Sequence, residues 1–358
     1  MGLMSGSSLD GLDIVFAEFH ENGGKWAYEI LQADCYRYHE NWVQRLKTAV
    51  DLNALDYQLL HVDYGHYLGQ QVNRFIDEHN LHYQVALVAS HGHTTFHVPA
   101  RKMTAQLGDG AAIAAETRLP VVSDLRALDV AFGGQGAPIV PIGERLLLGD
   151  YEFFLNLGGI ANISLNADNY VAFDICAANR VLNMLANEAG HEYDQDGEMA
   201  SSGQVFAPLL EELGRLSYYQ MPYPKSLAND FGTDIVYPLV KKANLSIPDA
   251  LRTYVEHIAV QTGLAVAQLM PASKASGRLL VTGGGALNTF LVERLQEAVK
   301  PYHVEVIVAD VQLVNFKEAL VMALMGVLRW REEYNIISSV TGASRGSIGG
   351  ALWLGQEA

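Results

Sequence analysis

Two cysteines in 358 residues, Cys35 and Cys176, exclude a disulfide framework, and no CxxC pair is present to hold zinc. Basic residues are scarce as well: 24 Lys and Arg stand against 40 Asp and Glu, a formal net charge of -16. That balance argues against nucleic acid as a partner, because a polyanion needs a basic patch to bind. The longest apolar run, around Ala319 to Leu328, is far short of a membrane span. The N-terminus lacks the basic, apolar and cleavage regions of an export signal, so the expectation is a cytoplasmic protein with no membrane partner. Also missing are GxGxxG and GxxxxGK[ST], which removes the Rossmann and P-loop routes to a nucleotide.

What is present has an order that repeats. The length fits two domains. Strand-like stretches cover Asp13 to Phe19 and Tyr28 to Tyr38, with a turn at Glu21 to Lys25. Apolar residues at helical spacing from Asn53 to His79 predict a helix, Val85 to Ala89 a buried strand, Gly108 to Thr117 a helix and Pro120 to Ser123 a strand. After the Gly-rich connector Gly133 to Pro138 the device recurs: strand Phe153 to Leu157, turn Gly158-Gly159, strand Ile160 to Leu165, strand Tyr170 to Asp174. Helices are expected near Arg180 to Ala189, Phe206 to Leu216 and Asp249 to Met270, then a strand over Arg278 to Thr282. Both halves open with a glycine-bearing hairpin followed by a third strand.

Three glycine turns are candidates for phosphate contact, because glycine lets another group approach the backbone and leaves N–H groups exposed. The first is MSGSSLDG, with Gly6, Ser7, Ser8, Leu9, Asp10 and Gly11; an ordinary hairpin loop has the same composition. The second is NLGGIANIS, with Gly158, Gly159 and Asn162. The third, VTGGGALN, places Gly283, Gly284 and Gly285 between a strand and a helix that begins after Asn288, where amides and the positive end of the helix dipole face a ligand. Asp174, in AFDICAANR, ends a strand, where open sheets place ligands. It could accept a proton, hold Mg²⁺ or simply cap a helix. Asp10 has the same readings, with metal contact direct or through water.

Elsewhere, SHGHTTFHVP brings His91, His93 and His97 close in sequence, yet no Cys or carboxylate completes a zinc set; a polar, substrate-facing strand end with Thr94 and Thr95 is the better reading. DQDGE, Asp194 to Glu198, lacks the spacing of a calcium loop and reads as a solvated turn. Arg126 is one of few bases near glycine-rich sequence. Glu318 opens an apolar helix, where an acid either interacts with the helix N-terminus or reaches into a cleft toward sugar hydroxyls.

Taken in order, GLMSGSSLDGLD, SHGHTTFHVP, GDGAAIAAETRLPVVSDLRALDVAFGGQGAPIVP, FLNLGGIANIS, AFDICAAN, VTGGGALN, FKEAL and VTGA resemble the signature blocks of anhydro-N-acetylmuramic acid kinases over essentially the full chain. The resemblance implies an α/β fold of two related actin-like (ribonuclease H-like) domains with mixed sheets and an interdomain cleft. Residues 1–135 would form the first and 136–358 the second, with the last helices packing back on the first and the connector around Gly133 to Pro138 as the candidate hinge for closure. It implies ATP and Mg²⁺ as cofactors, an anhydro amino sugar as small-molecule substrate, and a homodimer. The reaction implied is hydrolytic opening of the 1,6-anhydro ring with phosphorylation of O6, in peptidoglycan recycling. Asp174 would be the general base. Gly6 to Asp13, Gly158 to Asn162 and Gly283 to Asn288 would line the ATP site; Thr94, Arg126 and Glu318 would contact the sugar.

Three departures from the family pattern stand out. Ile175-Cys176-Ala177-Ala178-Asn179 replaces the usual Thr-Gly-Pro-Gly-Asn, which puts the second phosphate loop in question. His93 replaces the usual Gln. Few residues precede Gly2, so the first strand is expected to have short edge pairing. Two other functions stay open on sequence alone: a kinase of an ordinary sugar with the same fold, and a nucleotide-binding module without catalysis.

Overall fold

The computed structural model describes residues 1–6, 8–167, 170–223, 225–228, 230–270 and 275–355. Its strands are β1 (Gly2–Ser5), β2 (Gly11–Asn22), β3 (Lys25–Arg37), β4 (Val88–Val98), β5 (Met103–Leu107), β6 (Val121–Ser123), β7 (Phe153–Leu157), β8 (Ile160–Leu165), β9 (Val171–Ala177), β10 (Gly277–Thr282), β11 (Val304–Val308) and β12 (Ala351–Trp353). The chain divides into two compact units, Met1–Leu148 with Phe316–Ala358, and Gly149–Asn315.

In the first unit the sheet order is β12-β6-β4-β1-β2-β3, with β5 added to β4. β1 runs antiparallel to β2 and parallel to β4, so it is an interior strand and not a short edge. All four of its residues, Gly-Leu-Met-Ser, are buried, which an interior strand requires of both faces. Helix Ala54–Glu78 covers one face. Leu60, Tyr64, Leu68, Val72 and Phe75 recur at helical spacing and are buried, and the Asn53 side chain caps the first turn through Leu55 N–H and Asp56 N–H.

The second unit has the order β11-β10-β7-β8-β9. Here β7, β8 and β9 form an antiparallel meander, while β10 and β11 run parallel to β7. Counted from each unit's own first strand, the second sheet reads third-second-first-fourth-fifth, the ribonuclease H-like arrangement, and the first reads the same once β5, the added partner of β4, is set apart, with β6 in the fifth place and β12 beyond it. The recurrence legible in the sequence is therefore a recurrence of topology.

The unit boundary lies after Leu148, beyond the division expected at 135, because Ile139 and Ile142 pack into a core with Val122, Leu125, Val321 and Met325 of the first unit. The connector Gly133 to Pro138, read as a hinge, is fastened inside that unit. Buried Asp129 accepts Gly136 N–H at 2.8 Å and the Thr341 hydroxyl at 2.7 Å, and Gln135 N–H donates to Thr341 O at 2.7 Å. A turn held at both of these amides does not serve as a pivot.

Helix Val311–Trp330 extends well past the apolar run read from sequence. It is long and apolar enough to cross a membrane by length and composition, and 67% of its most apolar stretch is buried in the fold, as in a core helix. Val321, Met322, Leu324, Met325 and Leu328 lie in the first unit's core.

Candidate active site

The first turn is built on Asp10. Its Oδ1 accepts the Ser8 hydroxyl at 2.6 Å and Gly11 N–H at 3.1 Å, and Leu9 takes φ +57° to close the bend. Ser7 lies outside the described residues. Gly11 has a packing reason of its own: a Cβ there would stand 2.6 Å from Cys35 Sγ and 2.9 Å from Tyr36 O on the neighbouring strand. At Gly6 the nearest atom to such a Cβ is Ser8 Oγ at 3.4 Å, an ordinary contact. Two positions beyond it, Asp13 is pushed up to about 6 by burial, aided by the charges of Asp10 and Glu318, and is opposed by the Cys35 thiol that donates to it.

The sugar-site candidates of the first unit surround Arg126. Its Nε–H donates to His91 Nε2 at 2.8 Å and its Nη1 to Gly136 O at 2.5 Å. Desolvation pulls the guanidinium down to about 10, and Glu318 favours its charge, so Arg126 is cationic at neutral pH. Glu318, exposed on its helix, thus acts on both Arg126 and Asp13, and the turn and the sugar candidates share one region. Thr94 is exposed on β4, where its hydroxyl accepts from Gln106 Nε2 at 3.3 Å.

His91 and His93 do not face the same way as an extended strand would have them. Gly92 between them adopts φ +69°, and the pairing of β1 with β4 shifts register there. His93 is buried with Nδ1 3.3 Å from the Ser5 hydroxyl, and burial lowers its basicity. Among the described residues no group of three His, Cys, Asp or Glu is arranged for a metal ion.

In the second unit Asn156 on β7, Asn162 on β8 and Asp174 on β9 stand in register across the sheet. Residues opposite one another project from the same face, so a polar stripe ends at the carboxylate. Asp174 Oδ2 accepts Leu227 N–H at 2.9 Å; its backbone N–H donates to Lys225 O at 3.0 Å, and its carbonyl accepts the Tyr218 hydroxyl at 2.6 Å. Oδ1 has no partner among the described residues. Burial raises the carboxyl above its ordinary range, and the Leu227 amide only partly offsets that.

The third glycine turn closes on the same stripe. Gly283, at φ +80°, would bring a Cβ to 2.7 Å from Asn156 Oδ1, and Gly285 would bring one to 2.7 Å from Leu157 Cβ, so both are glycines by necessity. Gly284 faces open space, with Asn179 Nδ2 nearest at 3.9 Å. The Asn288 side chain caps helix Thr289–Val299 by accepting Leu291 N–H at 2.9 Å. Gly284, Gly285 and Asn288 line a cavity of about 450 Å³ together with Asn179 and residues 193–196.

DQDGE keeps the exposure of a solvated turn at Gln195, Asp196 and Glu198, and it also borders the cavity. Asp194 is buried, its two oxygens accept Met199 N–H and Ala200 N–H, and Asp196 O accepts the Thr289 hydroxyl, which holds the loop against the cavity. Gly197 at φ +74° was the available signal. Asn179 was also missed: it donates to Leu157 O at 2.9 Å and ties the run after Asp174 to the glycine hairpin. In that run β9 continues to Ala177, and Ala178 N–H and Asn179 N–H donate to Gly159 O and Gly158 O at 2.8 and 3.0 Å. The strand thus runs past its expected end at Asp174 through Ile175-Cys176-Ala177, and the amides of Ala178 and Asn179 are bonded to the hairpin. A Cβ built on Gly158 or Gly159 would clash with nothing, its nearest atoms being Ile160 O at 3.5 Å and Arg180 Nε at 3.7 Å.

Residues 1–355 match the model of the anhydro-N-acetylmuramic acid kinase family. An anhydro-N-acetylmuramic acid kinase of Francisella tularensis subsp. novicida is 31% identical, covering 98% of this chain and 97% of that one. One of Hydrogenovibrio crunogenus is 32% identical over 99% of this chain and 97% of its own, and one of Aliivibrio fischeri 35% over 83% of each. The chain belongs to the anhydro-N-acetylmuramic acid kinase family.

Proposed function

We propose that this protein uses ATP and water to convert 1,6-anhydro-N-acetylmuramic acid into N-acetylmuramic acid 6-phosphate and ADP, in the cytoplasm, during peptidoglycan recycling. The observation that carries the reading is Asp174: a half-buried carboxylate with one oxygen fixed by a backbone amide and the other without a partner among the described residues. In this reading Oδ1 takes a proton from water as the water attacks the anomeric carbon. The bond from that carbon to the bridging oxygen breaks, and the released O6 displaces ADP from the γ-phosphorus.

ATP would be held in the second unit, with adenosine in the cavity beside Gly284, Gly285 and Asn288 and phosphates toward Gly158 and Gly159. Asn162 would act from the same polar stripe as the base. In the first unit, Gly6, Ser8 and Asp10 would serve the phosphates, and Thr94, Arg126 and Glu318 the sugar. The residues fit Mg²⁺: Asp10 Oδ1 is already committed to Ser8 and Gly11, which leaves Oδ2 as a hard oxygen donor toward a hydrated ion. Bound Mg²⁺ would neutralise phosphate charge. The reading requires that sugar residues of the first unit and the base of the second act on one sugar molecule.

Turnover in ¹⁸O-labelled water tests it. The phosphorylated product must carry label at the anomeric carbon. Unlabelled phosphorylation of an ordinary sugar would instead make the protein a conventional sugar kinase, and ATP binding with no turnover of any sugar would make it a binding module.

A further inference from the structure

We infer that His91 is a positioning residue for Arg126, working as a neutral acceptor in a single tautomer. The inference rests on the reading of Arg126 as a sugar contact. Arg126 Nε–H can only donate, so His91 Nε2 at 2.8 Å must be the unprotonated nitrogen. The ring proton then sits on Nδ1, where it meets Gly92 O at 2.8 Å. Each ring nitrogen therefore has one role, fixed by the partner of the other. The turn at Gly92, with φ +69°, is what brings that carbonyl into reach of its own neighbour's ring.

The arrangement matters because Arg126 is a partly buried cation with no carboxylate within 4 Å among the described residues. Its two bonds inside the protein go to neutral acceptors, His91 Nε2 and Gly136 O, and the second of these is itself fixed through Gly136 N–H to Asp129. Neutral acceptors orient the guanidinium without neutralising it, which leaves the charge and the remaining N–H groups for a ligand. A protonated His91 would offer no lone pair and would repel the arginine. His91 is 3% exposed and flanked by Arg126, conditions that hold it neutral.

The test compares His91→Gln, whose side-chain oxygen can occupy the acceptor position, with His91→Phe, which fills the space and accepts nothing. We expect Phe to raise KM for the anhydro sugar about 10-fold, with kcat and KM for ATP within about threefold of wild type, and Gln to stay within about threefold throughout. Equal impairment of both variants, or wild-type behaviour of both, overturns the role. ¹⁵N NMR of the histidine-labelled wild-type protein gives a readout that needs no variant to fold. The expected result is an Nδ1–H tautomer for His91 that does not titrate between about pH 5 and 9. An Nε2–H tautomer or an imidazolium at neutral pH overturns the geometry. A wild-type sugar KM in Arg126→Ala overturns the sugar reading beneath it, and the tautomer tells the two failures apart.

Discussion

Leu227 N–H donates to Asp174 Oδ2 at 2.9 Å, a bond made by a segment that also takes Asp174 N–H at Lys225 O. Among the described residues the carboxylate is held by one oxygen only. Asp174→Asn should keep the hydrogen bond to Leu227, leave ATP affinity near wild type, and lower kcat by at least about 100-fold, because an amide accepts no proton from water. Calorimetry of ATP binding beside steady-state turnover checks both halves; near-normal turnover moves the base elsewhere.

The same carboxylate sets a pH limit. As the proposed base Asp174 would work ionised, so kcat/KM should fall as pH drops through its pKa. Because burial outweighs the Leu227 amide, that limb should lie above the ordinary aspartate range of about 4. A pH–rate profile flat down to the ordinary range would deny the desolvation.

Gly284 and Gly285 are neighbours with opposite surroundings, and they separate fold from ligand. A Cβ at Gly284 has no atom of the protein closer than 3.9 Å and stands on the lining of the cavity; at Gly285 it meets Leu157 and Asn179 at under 3 Å. Gly284→Val should leave thermal stability within about 0.5 kcal/mol and weaken ATP binding about 10-fold or more. Gly285→Val should lose stability by about 2 kcal/mol or more. If Gly284→Val binds ATP normally, the adenosine lies elsewhere.

Much of this was legible in the sequence because the signals were local. β7 and β8 fall on the expected residues, and helix Ala54–Glu78 differs from its periodic pattern by one residue at each end. Non-local facts were not legible. β12 joins β6 by antiparallel pairing from the far end of the chain, and β1 lies inside its sheet through pairing with β4. Of the site, the glycine turns and Asp174 were visible as residue types out of place in apolar strands. The Asp194 loop, the Asn179 tie and the acceptor role of His91 depend on partners distant in sequence, and neither periodicity nor spacing encodes them.

Asp13 offers a stability test with a different outcome at each of two pH values. Its folded pKa is raised to about 6 by burial and by Asp10 and Glu318, so the protonated acid favours the fold. That contribution is complete below the ordinary value of 3.8 and is lost as pH rises through about 6. Asp13→Asn, a permanent neutral substitute that can still accept from the Cys35 thiol, should match wild type near pH 4. Near pH 8 it should be more stable by about 1 to 2 kcal/mol, a figure reduced for the solvent contact the group retains. Urea unfolding at both pH values decides it; an equal difference at both would mean that the carboxyl titrates normally.

The connector gives the last test, since two of its glycines share a left-handed backbone but not a neighbourhood. Gly133 has φ +84° with nothing within 4 Å of a Cβ, so Gly133→Ala should cost only the conformational term of about 1 kcal/mol. Gly136 has φ +63°, and a Cβ there lies 2.5 Å from Val130 Cγ2, on the residue whose N–H meets Asp129 and whose carbonyl holds Arg126. Gly136→Ala should therefore cost about 2 kcal/mol more than Gly133→Ala and, by shifting that carbonyl, raise KM for the sugar while leaving KM for ATP unchanged. Equal melting temperatures for the two variants would show that the turn is free to move, and the hinge set aside on its hydrogen bonds would have to be restored.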